Sequence, residues 1–161
     1  MAKKMTWRDK LQHSKDLPKI VTLNEKGRIH WHAETMVVPA PLEVDARMAQ
    51  VPRGQVITTD LIRQDIARVH GADIGCPLTT GIFAWIAANA AAEDLAEGRA
   101  DATPYWRTLK AGGELNPKYP GGVEAQRAHL EAEGLQIRQR GKRFFVVDFA
   151  DHLAALAPAT S

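Results

Sequence analysis

The sequence predicts a mainly α-helical protein with small β elements, an α+β fold organised as a winged helix-turn-helix. Two segments with apolar residues at helical spacing, 60–70 and 77–97, are separated by a short link that contains glycine, as in a helix-turn-helix. A basic segment near the C-terminus, 135–149, alternates around a glycine and predicts a β-hairpin. Because a basic hairpin after a helix pair is typical of a winged domain, we expect this hairpin to form the wing.

The first forty residues predict a β extension that precedes the helices. Lys19 to Leu23 has the composition of a short strand, Asn24 to Gly27 that of a turn, and Arg28 to Val38 that of a second strand. Together these pieces predict a β-hairpin, which Pro39-Ala40-Pro41 terminates. We therefore treat residues 1–40 as an N-terminal extension.

A His30-x-His32-x-Glu34 motif falls on the second of these strands, where the alternation would place its three side chains on one face. Zinc requires ligands that converge from several places, and the chain has 1 cysteine, Cys76. We therefore expect no metal and no other cofactor. Cys76 precedes Pro77 at a predicted helix start, and we interpret it as a packing residue.

The middle of the chain predicts helices separated by short breaks. Leu42 to Gln50 predicts a brief helix, and Val51 to Thr59 predicts a turn followed by a short β piece. Thr59 is expected to cap a helix from Asp60 to His70, which Gly71 ends. A long helix follows from Pro77 to Glu97.

The remaining elements alternate between loops and regular structure. Arg99 to Lys110 predicts a loop, and Ala111 to Gly122 is too rich in glycine and proline for a regular element. Val123 to Glu133 predicts a helix that ends at Gly134. The hairpin from Leu135 to Phe149 is expected to turn at Arg140-Gly141-Lys142.

Length and charge limit the class of protein. A chain of 161 residues suits one domain, or one domain with a short addition, and the formal net charge of +2 is only mildly basic. Such a balance does not by itself indicate nucleic-acid binding. The sequence has no apolar run of the roughly 20 residues that cross a membrane, and we expect no signal peptide. We therefore expect a cytoplasmic protein with no membrane partner.

Four sequence blocks occur in a fixed order between residues 42 and 135. They are Val51-Pro52-Arg53-Gly54-Gln55-Val56-Ile57-Thr58-Thr59, Thr80-Gly81, Pro104-Tyr105-Trp106-Arg107-Thr108, and Tyr119-Pro120-Gly121-Gly122 with Leu130-Glu131-Ala132-Glu133-Gly134. In order and type, the blocks resemble the DNA-binding domain of the alkylguanine-DNA alkyltransferases. The resemblance implies such a domain over residues 41–135, with a C-terminal hairpin and tail over residues 136–161.

The chain departs from that family at the residues that carry its chemistry. Tyr105 stands at the position of the nucleophilic cysteine and Trp106 at that of the following histidine, whereas Arg107 retains the family's arginine. A phenol, with an ordinary pKa of about 10, is a poor substitute for a thiolate. The chain therefore resembles the alkyltransferase-like subgroup, which lacks the cysteine and binds damaged guanine without repairing it. We expect no alkyl transfer and no catalytic residue.

The resemblance also implies a base pocket and a loop anchor. A flipped base is usually gripped by stacking, and the expected pocket residues are Tyr105, Trp106, Arg107 and Tyr119. Glu133 is expected to anchor the loop, as the corresponding glutamate does in the family. The sequence is also compatible with an aromatic pair that only fills the core left by a lost pocket.

Two further sets of residues are expected to contact DNA. They are Thr59, Leu78, Thr79 and Thr80 in the helix pair, and Arg138, Arg140 and Lys142 in the hairpin. Hydroxyls at a helix N-terminus suit phosphates, and Leu78 suits an apolar wedge in the minor groove. Thr59 and Leu78 replace a tyrosine and an arginine with which the family handles the flipped nucleotide. A core position for Leu78 and a solvated edge for the hairpin are equally compatible with the sequence.

Three functional hypotheses follow. The leading one is a monomeric, non-catalytic protein that binds double-stranded DNA, recognises a flipped, alkylated base and flags it to a repair-protein partner. The second is a base-excision or other base-modifying enzyme that uses Glu114, Lys110 or Lys118, which the resemblance places at the pocket mouth. The third is a winged-helix regulator whose pocket is vestigial.

Overall fold

The computed structural model describes residues 5–156, which form an α+β fold. The helices in this range are α1 (Trp7–Gln12), α2 (Glu25–Trp31), α3 (Pro41–Ala49), α4 (Thr59–His70), α5 (Pro77–Ala96) and α6 (Gly122–Ala132). The strands are β1 (Lys19–Thr22), β2 (Thr35–Val38), β3 (Ile57–Thr58), β4 (Ile74–Gly75), β5 (Thr108–Leu109), β6 (Ile137–Arg140) and β7 (Arg143–Val146). This architecture confirms the predicted fold class. No helix within the described range is long and apolar enough to cross a membrane.

The N-terminal segment forms the expected antiparallel strand pair, but its connection is helical. Strands β1 and β2 pair in register from Lys19 opposite Val38 to Thr22 opposite Thr35. The prediction of a turn at residues 24–27 and of a strand from residue 28 was wrong, because α2 occupies residues 25–31. The reason is local: the Asn24 side chain accepts a hydrogen bond from the Gly27 amide at 2.9 Å and caps a helix.

This helical connection also removes the predicted face of the His-x-His-x-Glu motif. His30 lies in α2, and His32 follows it in a left-handed conformation with a φ of 53°. The side chains therefore do not alternate along one strand. Within residues 5–156, no group of three histidine, cysteine or acidic side chains is arranged to hold a metal ion.

The main core surrounds α5. This helix buries one face made of small side chains, which are Ala84, Ala87, Ala88, Ala90 and Ala91. Because these side chains are short, α1, α3 and α4 pack closely against the helix and contribute Leu11, Met48, Ile62 and Ile66 to the same core. The strand β4 lies between α4 and α5 and pairs in parallel with β2, so the N-terminal segment joins the sheet at the link between the two helices.

The start of α4 differs by one residue from the prediction. Thr58 is the cap residue, its side chain makes no capping hydrogen bond, and Thr59 is the first residue of the helix. Gly71 ends the helix in a left-handed conformation with a φ of 70°, as predicted.

A second core supports the C-terminal part of the chain. Its buried residues are Val56, Leu109, Leu115, Leu130, Leu135 and Val146. The strand β3 pairs in parallel with β5, which fixes the loop before residue 108 beside the 51–59 block. The strands β6 and β7 form the predicted hairpin, and the backbone amide of Ala154 returns to the Val56 carbonyl at 2.8 Å.

Candidate nucleic-acid interface

The aromatic loop, residues 104–108, forms a short 3₁₀ turn over Tyr105–Arg107 and points its tyrosine into the protein. Tyr105 is 4% exposed. Its ring makes edge-on contacts with Trp106, Tyr119 and His129, at centroid distances of 5.4, 5.8 and 6.2 Å. The hydroxyl donates to the Pro120 carbonyl at 3.3 Å. Burial raises the pKa of this phenol, which therefore stays neutral at physiological pH.

We refer to Tyr105, Trp106, Tyr119 and His129 as the aromatic cluster. Tyr119 is 3% exposed, and burial raises the pKa of its hydroxyl. His129 from α6 lies against Trp106 with nearly parallel rings. The residues that the sequence assigned to a base pocket are thus close together, but their rings pack against one another and Tyr105 presents almost no surface to a ligand.

Glu133 lies directly after α6 and joins three separate parts of the chain. Its carboxylate accepts hydrogen bonds from the Trp106 indole at 2.8 Å, from both Nε and Nη2 of Arg107, the shortest at 2.8 Å, and from the Gly54 amide at 2.9 Å. Arg107 in turn donates to the Val51 carbonyl at 2.8 Å. The two charged side chains therefore tie the aromatic loop to the end of α6 and to the 51–54 turn.

The charge state of Glu133 follows from these contacts. Burial raises the pKa of the carboxyl, but hydrogen bonds from Arg107, Gly54 and Trp106 outweigh it, and the net effect is a lowered pKa. The carboxylate is therefore ionised, and its charge balances that of Arg107 in a site where neither side chain is well solvated.

Gln126 is a structural contributor that the sequence analysis missed. The side chain is fully buried in α6, its amide nitrogen donates to the Trp106 and Thr108 carbonyls at 3.1 and 3.3 Å, and its oxygen accepts from the Asn116 amide at 2.8 Å. It therefore connects the aromatic loop to the 110–118 loop. The sequence does contain a signal for this residue, because Gln126 lies four residues before Leu130. It therefore falls on the apolar face of its helix.

The N-terminal half of α5 exposes apolar side chains. Leu78 is 72% exposed, Ile82 42% and Trp85 36%, and their spacing places them along one face of the helix. By contrast, the Thr80 hydroxyl is buried and donates to the Cys76 carbonyl at 2.7 Å, and the Thr79 hydroxyl is buried without a hydrogen-bond partner among residues 5–156.

These positions bear on the expected DNA contacts. Thr59 is half-buried at the start of α4. Of the four helix residues expected to contact DNA, it is Leu78 that the fold presents to solvent most fully.

A groove separates this face of α5 from the 110–118 loop. It has a volume of about 460 Å³, and its walls include Leu78, Ile82 and Trp85 on one side and Lys110 and Lys118 on the other. We call it the α5 groove. The two lysines, which the sequence connected with an enzymatic alternative, line this opening rather than the aromatic cluster.

Glu114, the carboxylate that the enzymatic alternative would use, forms ion pairs with two basic side chains. It is 5% exposed, lies 2.7 Å from Arg143 and 3.8 Å from Lys110, and its pKa is lowered, chiefly by the hydrogen bond from Arg143. An ionised carboxylate held in this way is poorly placed to donate a proton. Its contacts join the 110–118 loop to the hairpin.

The hairpin presents a basic surface to solvent. Ile137 pairs with Val146, which is buried, so this pair faces the core. Because side chains alternate along a strand and paired residues share a face, the opposite face carries Arg138, Arg140, Arg143 and Phe145. The Arg143 guanidinium lies 5.1 Å from the centre of the Phe145 ring, and Lys142 is exposed in the turn.

Comparison with known proteins identifies the fold. No family model and no curated protein matches the chain. Among solved structures, the chain is similar to S. pombe Atl1 in complex with damaged DNA containing O6-carboxymethylguanine, with a TM-score of 0.50 and 19% identity over 71% of this chain and 94% of that chain. It is similar to a second structure, S. pombe ATL in complex with DNA, with a TM-score of 0.50, 18% identity and the same coverage. The fold predicted from the four sequence blocks is therefore confirmed.

Proposed function

We propose that the protein is a non-catalytic DNA-binding protein that recognises damaged duplex DNA, holds an alkylated base outside the helix and flags it to a repair protein. The observation that carries the proposal is the shared fold with two structures in complex with DNA, one of which contains O6-carboxymethylguanine. The exposed basic face of the hairpin and the exposed N-terminal face of α5 support it, because phosphates and the minor groove require such surfaces.

The chemistry of the aromatic loop supports a binding role over alkyl transfer. Transfer to the protein requires a thiolate next to the damaged base, whereas Tyr105 is a buried neutral phenol. Cys76 lies at the start of α5, where its amide donates to the Val37 carbonyl at 2.9 Å, and belongs to the sheet and helix junction rather than to the loop.

In the flipped-base form of this proposal, Tyr105 and Trp106 stack against the base. Their packing adds a condition: the aromatic cluster has to open before Tyr105 contacts a ligand, because its ring is 4% exposed. Glu133 binds Trp106 and Arg107 through hydrogen bonds. The proposal therefore requires Tyr105, Tyr119 and His129 to be the side chains that move.

The test is a comparison of matched duplexes. Fluorescence anisotropy should show tighter binding to a duplex with one O6-carboxymethylguanine or O6-methylguanine than to the same duplex with guanine. Equal affinity for all three duplexes would contradict the proposed recognition of damage. The absence of binding at low salt would contradict the proposed DNA-binding function itself. Recovery of the intact modified base after incubation distinguishes binding from excision or alkyl transfer.

One observation favours a second candidate, a winged-helix DNA-binding protein whose pocket is vestigial. The aromatic cluster packs as a core, with Tyr105 and Tyr119 both buried. In that case Trp106→Phe, which retains a ring beside His129, would leave the affinity for both damaged and undamaged duplex unchanged. Loss of the preference for the alkylated duplex in this variant would support the flipped-base proposal instead.

A further inference from the structure

The aromatic loop has a second attachment, which lies just before it and joins it to α3. The Thr103 hydroxyl donates to a carboxylate oxygen of Asp45 at 2.7 Å. Asp45 is partly buried in α3, whose neighbouring side chains Val44 and Met48 belong to the main core. We call this hydrogen bond the α3 contact. It attaches the start of the loop to α3, whereas Glu133 attaches the rest of the loop to the end of α6 and to the 51–54 turn.

A tight turn connects Thr103 to Tyr105. The Tyr105 amide donates to the Thr103 carbonyl at 2.8 Å, and Pro104 between them has a φ of −76° and a ψ of 72°. These values are those of an inverse γ-turn, in which the proline ring also fixes φ. Because such a turn has little conformational freedom, a displacement of Thr103 away from α3 moves the backbone of Tyr105 with it.

The Asp45 carboxylate lacks a cation that would balance its charge. Within residues 5–156, no basic side chain forms an ion pair with Asp45, and Arg47 on the same helix pairs with Asp65 at 2.7 Å instead. Burial raises the pKa of the Asp45 carboxyl, and the hydrogen bond from Thr103 opposes only part of this effect. The ionised carboxylate is therefore poorly solvated in the closed structure, and its hydration improves when the loop separates from α3.

We infer that the aromatic loop opens at the α3 contact, so that Asp45 and Thr103 control the release of Tyr105 from the aromatic cluster. The attachment at Glu133 is charge-balanced and consists of several hydrogen bonds, whereas one hydrogen bond joins the Thr103 side chain to α3. The loop therefore separates more readily at its start. The inference rests on the proposed recognition of a flipped base, which requires the buried Tyr105 ring to become accessible.

Hydroxyl-radical footprinting of the full-length protein without DNA measures the release, because it labels the Tyr105 ring in proportion to its accessibility. Thr103→Val removes the donor and should raise Tyr105 labelling by roughly tenfold, since a hydrogen bond to a charged group is lost. Thr103→Ser retains the hydroxyl and should restore the low labelling. Met48 is fully buried and easily oxidised, so unchanged labelling of Met48 excludes global unfolding as the cause.

A second pair of variants isolates the charge of Asp45. Asp45→Asn keeps an oxygen acceptor for Thr103 and removes the poorly solvated charge, so Tyr105 labelling should fall below that of the unsubstituted protein. Glu43→Gln is the matched control, because Glu43 lies on the same helix but pairs with His70. It should leave Tyr105 labelling unchanged. An increase of labelling in Asp45→Asn would overturn the role inferred for the charge.

Duplex binding connects the α3 contact to recognition. If only the open loop holds the base, the apparent affinity for a duplex with O6-methylguanine changes by the same factor as the open fraction. The affinity ratio between this duplex and the unmodified one should therefore rise in Thr103→Val, fall in Asp45→Asn and stay the same in Glu43→Gln.

Two results would overturn the inference. One is Tyr105 labelling that does not respond to Thr103→Val, and the other is a change in labelling that leaves the affinity ratio unaltered. Equal binding of the two duplexes by the unsubstituted protein would instead refute the proposed recognition of damage. The footprinting requires no DNA, so it decides in that case as well whether the loop opens at the α3 contact.

Discussion

The imidazole of His129 lies parallel to the indole of Trp106, with centroids 4.0 Å apart and an angle of 12° between the rings. This is the geometry of a stacked pair, and it covers one face of the Trp106 indole. The helix α6 thus supplies the stacking partner of Trp106 from within the protein. This contact explains why the aromatic loop, although it carries the ring types of a base pocket, is packed like a core.

The pKa of His129 makes this contact sensitive to pH. Burial lowers the pKa below its ordinary value of 6.5, with Glu133 acting in the opposite direction and Arg107 in the same direction. As the pH falls, His129 therefore takes up a proton at a higher pH in the unfolded chain than in the folded protein. The free energy of unfolding decreases as the pH falls from 6.5 to the lower pKa of His129 in the folded protein, and His129 has no such effect above pH 6.5.

His129→Phe keeps an aromatic ring beside Trp106 and removes the titratable imidazole. Urea denaturation on both sides of pH 6.5 should show a flatter pH dependence in the variant. An NMR titration of the unsubstituted protein provides the direct check. A His129 pKa at or above the ordinary value would contradict the interpretation.

Removal of the Glu133 carboxylate should strongly destabilise the protein. Glu133→Ala leaves Arg107, whose side chain is 14% exposed, without its carboxylate partner. The expected loss in the free energy of unfolding is about 3–5 kcal/mol, measured by chemical denaturation. Glu131→Ala is the control, because its ion pair with Arg127 at 3.3 Å is exposed and should contribute about 1 kcal/mol or less. Similar losses in the two variants would show that the Glu133 network does not hold the loop.

The contribution of the Tyr105 ring to stability can be separated from that of its hydroxyl. Tyr105→Phe removes one hydrogen bond, to the Pro120 carbonyl, and should cost about 1 kcal/mol. Tyr105→Ala removes a buried ring from the aromatic cluster and should cost about 3–5 kcal/mol. Thermal or urea unfolding measures both. A small loss in the alanine variant would indicate that the ring is not packed as the structure shows.

The basic face of the hairpin should determine the salt dependence of DNA binding. Arg138→Ala and Arg140→Ala should each weaken binding to duplexes of any sequence and reduce the slope of log affinity against log salt by about 1. Lys26→Ala in α2 removes the same charge from a different surface and serves as the control. If Lys26→Ala changes the slope as much as the hairpin variants do, the effect is one of net charge and not of this face.

Two adjacent glycines test the packing of the 110–118 loop. Gly113 has a φ of +86°, and a Cβ added there would lie 2.6 Å from the Phe149 ring, whereas Gly112 has a φ of +81° with open space around it. Both alanine substitutions strain the backbone. Gly113→Ala should cost about 1–3 kcal/mol more than Gly112→Ala because of the added clash. Equal losses in the free energy of unfolding would contradict the contact with Phe149.

Local sequence patterns were sufficient for most elements of this fold. The helices α3 to α6 and the C-terminal hairpin lie within a few residues of their predicted positions, because apolar periodicity, prolines and glycines act over a few neighbours. The error at α2 has a local cause as well. A seven-residue segment is too short for its period to be decisive, and the capping side chain of Asn24 determined the outcome.

The sequence by itself also determined which chemistry the aromatic loop lacks, since a tyrosine at position 105 excludes a thiolate there whatever surrounds it. Only the tertiary structure decided how the loop packs. His129 lies 23 positions from Trp106 along the chain, and Trp85 lies 33 positions from Lys118. Whether such residues close a pocket or open a groove depends on how helices pack around the small side chains of α5, and packing between distant elements leaves no local pattern to read.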